Sequence, residues 1–140
     1  MNTIKDILPK IDFEKINAEL FDSTANQAAA AISEVEGQVN KITQLRRFYD
    51  EIVMWNDKLQ KNEDKYPEYI PFIKMLNAKV AYARGRKHVD DNYKDLMERC
   101  IAQLDNNNVQ TFFHFKLFME AFMGFYKAHS LIVEKHNATK

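Results

Sequence analysis

The sequence predicts an all-α protein, a compact bundle of about five helices, on three observations. Glycine and proline number 3 each in 140 residues, too few for the turns that a sandwich or barrel needs. Hydrophobic residues make up 46% and aromatics 12%, enough for a real core at this length and too rich for a disordered chain. Apolar residues recur at 3, 4 spacing in stretch after stretch, the period of an amphipathic helix. Residues 1–140 therefore read as a single helical domain, with 1–11 and 134–140 mobile.

The lead-in to Ile11 carries Ile4, Ile7, Leu8 and Ile11, interrupted by Pro9. Asp12 is a candidate N-cap for a first helix whose apolar face is Phe13, Ile16 and Leu20. That helix either runs on or breaks near Asp22 and Ser23, and the alanine run Ala28 to Ala31 is helical by propensity. Gly37 is placed to cap its end, and Asp12, Glu14, Glu19, Asp22, Glu34 and Glu36 make the region acidic.

Thr43 is expected to open the second helix, ITQLRRFYDEIVMWNDKLQK, in which Leu45, Phe48, Ile52, Trp55 and Leu59 keep time. As N-cap, its hydroxyl and the neighbouring amides would be able to meet a phosphate. Arg46 and Arg47 follow at the end of the helix where the dipole disfavours cations. Residues 60–71 read as an exposed polar connection, with Pro71 in the first turn of a third helix. Asp90 or Asp91 caps a fourth helix that buries Tyr93, Leu96, Met97, Cys100, Ile101 and Leu104. The run Asp105 to Asn108 is a turn. The fifth helix starts at Val109 or Gln110, with Phe112, Phe115, Met119, Phe122 and Tyr126 on one face and Phe113, Leu117, Phe118 and Phe125 on others. A helix apolar nearly all round is central to a bundle or shared with a neighbouring subunit.

Lys+Arg and Asp+Glu balance at 20 each, so a strongly basic nucleic-acid binder is excluded and any such role rests on uneven charge. The single cysteine cannot form an internal disulfide. MNTIKDILPKIDFEK lacks the apolar core of a signal peptide, and no apolar run reaches the ~20 residues needed to span a bilayer. A cytoplasmic protein without membrane contact is the expectation. His88, His114, His129 and His136 have no Glu three residues before them, and there is no paired-cysteine motif or phosphate-binding glycine loop. The expectation is no metal, no cofactor and no enzyme.

Charge is uneven between Phe72 and Lys87. That stretch holds Lys74, Lys79, Arg84, Arg86 and Lys87 and no acidic residue. Ile73, Leu76, Val80 and Ala83 form its apolar stripe, and Lys79, Tyr82 and Arg86 share another face, the two cations seven residues or roughly 10 Å apart. A cationic row with an aromatic in it fits a polyanion, although such faces are also found merely solvated. Tyr82 either stacks on such a partner or packs in the core with its hydroxyl at the edge. Gly85 reads as a C-cap, a tolerated interior glycine, or a point of close ligand approach.

Three blocks together resemble the small subunit of type III-A CRISPR RNA-guided interference complexes. ITQLRRFYDEI is similar to the family's helix start, through Thr43, Leu45, Arg46 and Phe48. LNAKVAYARGR is similar to its cationic block, through Leu76, Lys79, Tyr82, Gly85 and Arg86. FFHFKLFMEAFMGFYK is similar to its aromatic block, through Phe113, Phe118, Glu120, Ala121, Tyr126 and Lys127. The blocks stand in the family's order over roughly residues 40–130. The resemblance implies a non-catalytic subunit acting in antiviral defence. It would stack in several copies beside other subunits of the effector complex and contact guide RNA and target RNA. Thr43, Arg46, Arg47, Lys79, Tyr82, Arg84, Arg86, Lys116 and Lys127 are the candidate RNA-contacting residues. Base pairing would read sequence, and this subunit would supply backbone contacts. Zero net charge and the very apolar fifth helix favour the competing class, a helical protein–protein adaptor.

Overall fold

The computed structural model describes residues 3–33 and 39–138, with the side chains of 33 and 132–138 left aside. Among the described residues there is no strand, and one isolated bridge closes the turn between Asp105 and Asn108. A short α1 (Ile4–Ile7) is followed by α2 (Ala25–Ser33), which a π-helical turn, Leu20–Thr24, leads into. Then come α3 (Ile42–Lys61), α4 (Tyr66–Ile73), α5 (Leu76–Gly85), α6 (Asp91–Ala102) and α7 (Val109–Ala138).

The 30-residue α7 is the central element. Helices α2 and α3 pack along it, α6 packs on α5, and α1 touches α2 and α6. Phe112, Phe115, Phe118, Met119 and Phe122 are wholly buried. Each fully buried ring contributes about 1.5–3 kcal/mol of transfer free energy. Phe115 meets Phe13 and Phe112, and Phe122 lies against Tyr93 and Tyr126. The expected core residues Phe48, Ile52, Ile73, Leu76, Val80, Leu96 and Cys100 are also buried, whereas Trp55 is only partly covered, against Tyr69 and Phe72.

Several expectations are corrected. Asp12 caps a turn, accepting from the backbone N–H of Glu14 and Lys15, and no helix follows it. Ile16 is 47% exposed. The reason is tethering: Phe13 N–H donates to Gln103 Oε1 at 2.8 Å, and its carbonyl meets His114 Nδ1 at 2.6 Å. Ile4, Ile7 and Ile11 are core, and Arg99 donates to the carbonyls of Leu8 and Ile11. Residues 60–71 hold the start of α4, with Tyr66 and Ile70 buried and Pro67, not Pro71, in the first turn. The expected third helix is thus two, separated at Lys74 and Met75, where Met75 N–H turns to the Phe72 carbonyl three residues back instead of continuing the four-residue ladder. Helix α7 runs to Ala138. Gly37, with Glu34 and Glu36, lies outside the described residues. Among the described residues, no helix is long and apolar enough to cross a membrane.

Candidate nucleic-acid interface

Helix α3 begins one residue earlier than expected. Lys41 is its N-cap and makes no side-chain capping bond, so Thr43 stands inside the first turn, exposed and not capping. The backbone N–H groups of Ile42 and Thr43 find no acceptor among the described residues. Among the described residues, nothing satisfies these donors at the positive end of the 20-residue helix, the end that favours an anion.

Helix α5 ends beside it. His88 N–H bonds the Ala83 carbonyl at 2.9 Å and Lys87 N–H bonds the Arg84 carbonyl at 3.0 Å, the paired closure of a Schellman turn. Lys87 occupies the left-handed position of that turn, φ 64°, where glycine is the usual residue. Gly85, two residues earlier, is the last residue of the helix, and a Cβ there would meet nothing within 4 Å.

Two links lay α5 alongside α3 in the opposite direction. Lys79 Nζ pairs with Glu51 at 2.6 Å, and Asn40 N–H donates to the His88 carbonyl at 2.9 Å. Between the helix ends lies a cleft of about 290 Å³ lined by Lys41, Thr43, Gln44, Arg47, Lys87 and His88. It contains no carboxylate among these residues, and Lys41, Arg47 and Lys87 have no ion-pair partner among the described residues.

The other candidates fall into separate groups. Tyr82 is 66% exposed, with the Arg86 guanidinium 5.7 Å above its ring and donating to its hydroxyl at 3.1 Å. Lys79, Tyr82 and Arg86 share the α5 flank that looks toward Glu51, one turn from Arg47. Arg84 is on the opposite flank of the buried stripe, held by Asp91 of α6 at 2.6 Å. That hydrogen bond keeps the Asp91 carboxyl below its ordinary pKa and the Arg84 guanidinium above its own. Arg46 is exposed and stands roughly 100° round α3 from Arg47. Lys116 pairs with Glu120 at 2.8 Å, which raises its pKa, and Tyr49 of α3 reaches the same carboxylate at 3.5 Å. Lys127 is exposed on α7. Arg47 and Thr43 thus share the cleft, Lys79, Tyr82 and Arg86 lie outside its lining on one flank of α5, and Arg46, Arg84, Lys116 and Lys127 lie elsewhere.

Lys41 was not singled out by the sequence reading, and Lys87, counted in the cationic stretch, and His88, weighed as a metal ligand, were not among the candidate RNA contacts. The signal for Lys87 was the cap itself: the chain offers a glycine at 85 and a lysine where the left-handed residue falls. Among the described residues, no three His, Cys, Asp or Glu side chains are placed to hold a metal ion.

No curated protein and no solved structure matches this chain. A profile of the family Csm2 Type III-A matches residues 15–131, a span that takes in α2 to most of α7 and both sides of the cleft. With most of its length covered by that match, the chain belongs to the Csm2 Type III-A family, the small subunits of type III-A CRISPR complexes.

Proposed function

We propose that this subunit contacts the backbone of guide and target RNA through the α3–α5 surface, without catalysis of its own. Working in the cytoplasm, it stacks in several copies beside the other subunits of the complex. The reading rests on one observation: two distant blocks of sequence, one ending α5 and one starting α3, bring round a single cleft a helix N-terminus and cations that have no ion-pair partner among the described residues. Thr43, Arg47, Lys79, Tyr82 and Arg86 form the principal contact row. Arg46 and Lys116 extend it over the α3–α7 side, and Arg84 and Lys127 add charge at its margins. Phosphate contacts of this kind fix register and carry no sequence information.

A protein-facing role has its own observation. Phe72 is 56% exposed and Met75 is 52% exposed at the α4–α5 break, beside Trp55 and Tyr69. That apolar corner fits contact with a neighbouring subunit or a second copy.

Filter binding of the assembled complex over a salt series tests the RNA role. Replacing Arg47, Lys79 and Arg86 by Ala is expected to weaken retention of the guide–target duplex and flatten its salt dependence. Salt slopes identical to wild type would take these cations out of the RNA interface and leave the protein-facing role ahead.

A further inference from the structure

We infer that Lys87 is an RNA-phosphate contact of the cleft, and that Asn40 with Tyr126 are the residues that position it; the inference rests on the RNA reading of the cleft.

The chain has two described non-glycine residues at positive φ, Asn40 at 62° and Lys87 at 64°. They are joined, because Asn40 N–H donates to the carbonyl of His88, the residue after Lys87. Asparagine tolerates the left-handed region; lysine has no side-chain device to offset its cost there. A glycine would close the same Schellman turn without that cost, so the lysine stands there against local backbone preference. What its side chain gains is a place on the cleft wall opposite Arg47 and Thr43. Observed strain is a starting point for a functional reading when the surroundings over-determine it.

They do so here. Asn40 is 3% exposed and ties three segments at once. Its N–H holds the end of the α5 turn, its Oδ1 accepts from the Asp90 N–H at 3.0 Å, and its carbonyl accepts from the Tyr126 hydroxyl of α7. Asp90 in turn caps α6 through the Tyr93 N–H. The start of α3, the α5–α6 turn and the core helix therefore meet at one residue. The cleft walls are fixed relative to each other by hydrogen bonds behind them, so the backbone positions that carry the cations are set without a ligand. Such preorganisation lowers what an incoming phosphate must order.

The experiment compares wild type with Lys87→Gly, Tyr126→Phe and Arg47→Ala in the assembled complex. Each is measured by filter binding over a salt series and by thermal melting of the free subunit. Lys87→Gly is expected to melt no lower than wild type, yet to bind RNA several-fold more weakly. Its salt slope should be smaller by about 0.7–0.9, the loss of one phosphate contact. Tyr126→Phe keeps every cation and should lose affinity at all salt concentrations with the wild-type slope. Should Lys87→Gly disturb assembly, Lys87→Asn retains tolerance of the left-handed turn and removes the charge. A wild-type slope for Lys87→Gly or Lys87→Asn, with a flattened slope for Arg47→Ala, overturns the Lys87 assignment and leaves the cleft an RNA site. Wild-type affinity for Tyr126→Phe overturns the positioning role. Wild-type slopes for Arg47→Ala and both Lys87 variants overturn the RNA reading itself, and the inference with it.

Discussion

Tyr126 and Tyr82 are the same residue type, each on a helix, each in a block that resembles the same family, and they have opposite fates. Tyr126 is 6% exposed, stacked beside Phe122, with its hydroxyl spent on the Asn40 carbonyl. Tyr82 is 66% exposed, with the guanidinium of Arg86 over its ring. What separates them is the company on the helix face. Tyr126 continues a stripe of Phe115, Met119 and Phe122, whereas Tyr82 shares its flank with Lys79 and Arg86, outside the Leu76, Val80, Ala83 stripe. An aromatic at helical spacing is core only when its i±3 and i±4 neighbours are apolar.

That contrast predicts a large asymmetry in stability. Phe115→Ala removes a wholly buried ring touching Phe13 and Phe112 and should cost about 3–5 kcal/mol. Tyr82→Ala should stay within about 0.5 kcal/mol, as exposed substitutions usually do. Chemical denaturation of the two variants measures both. Similar costs would mean that Tyr82 packs in a way its exposure does not convey.

The core side of the contrast was well written in the sequence, and the surface side was not. Helix α3 was legible along its length, though not in its cap, because Leu45, Phe48, Ile52 and Leu59 keep one phase through it. The same regularity misled at α4 and α5: Ile73, Leu76, Val80 and Ala83 stay in phase across the break at Lys74 and Met75, so two helices read as one. Phe13, Ile16 and Leu20 also kept helical spacing, but long-range bonds from Phe13 to Gln103 and His114 hold the chain off a helix there. At the cleft, periodicity is silent on what matters. The left-handed turns at Asn40 and Lys87, and the hydrogen bonds between them, join residues nearly fifty positions apart. Local patterns cannot carry such a pairing.

Two buried groups give intermediate effects. Burial pushes the Cys100 thiol up, and the nearby Arg99 charge opposes this only in part. A maleimide should therefore label Cys100 at the rate at which the domain opens, and full labelling on mixing would place the thiol at the surface. For Tyr126, burial first and the Asp90 charge second push the phenol up to about 12 from 10.0. A raised phenol pKa favours the neutral form in the folded state. Its contribution to stability is intact below pH 10 and is lost as pH climbs through about 12. Melting over an alkaline series, with phenolate absorbance followed in parallel, should show wild type losing stability in that window more steeply than Tyr126→Phe. Parallel curves would mean that the Tyr126 hydroxyl does not sense folding.

The smallest effect on stability, and the finest test of the surface, is at the Lys79–Glu51 pair. Nζ and Oε1 are 2.6 Å apart, with the side chains 49% and 22% exposed. A pair this open to solvent couples by about 0.2–1 kcal/mol. Glu51→Gln should therefore shift the unfolding midpoint little, because the amide oxygen still accepts from Lys79. Its effect on charge is larger in proportion. In the free subunit Glu51 neutralises Lys79, and with Gln at 51 the cation adds in full to the field of Arg47, Lys87 and Arg86. If that row meets RNA, retention at low salt should rise and the salt slope steepen by up to about 0.9, one further phosphate engaged. If Glu51 serves instead to hold Lys79 in place, retention should fall while the slope stays near wild type. A variant unchanged in both would leave the Lys79 flank of α5 an ordinary solvated helix face and confine RNA contact to the cleft.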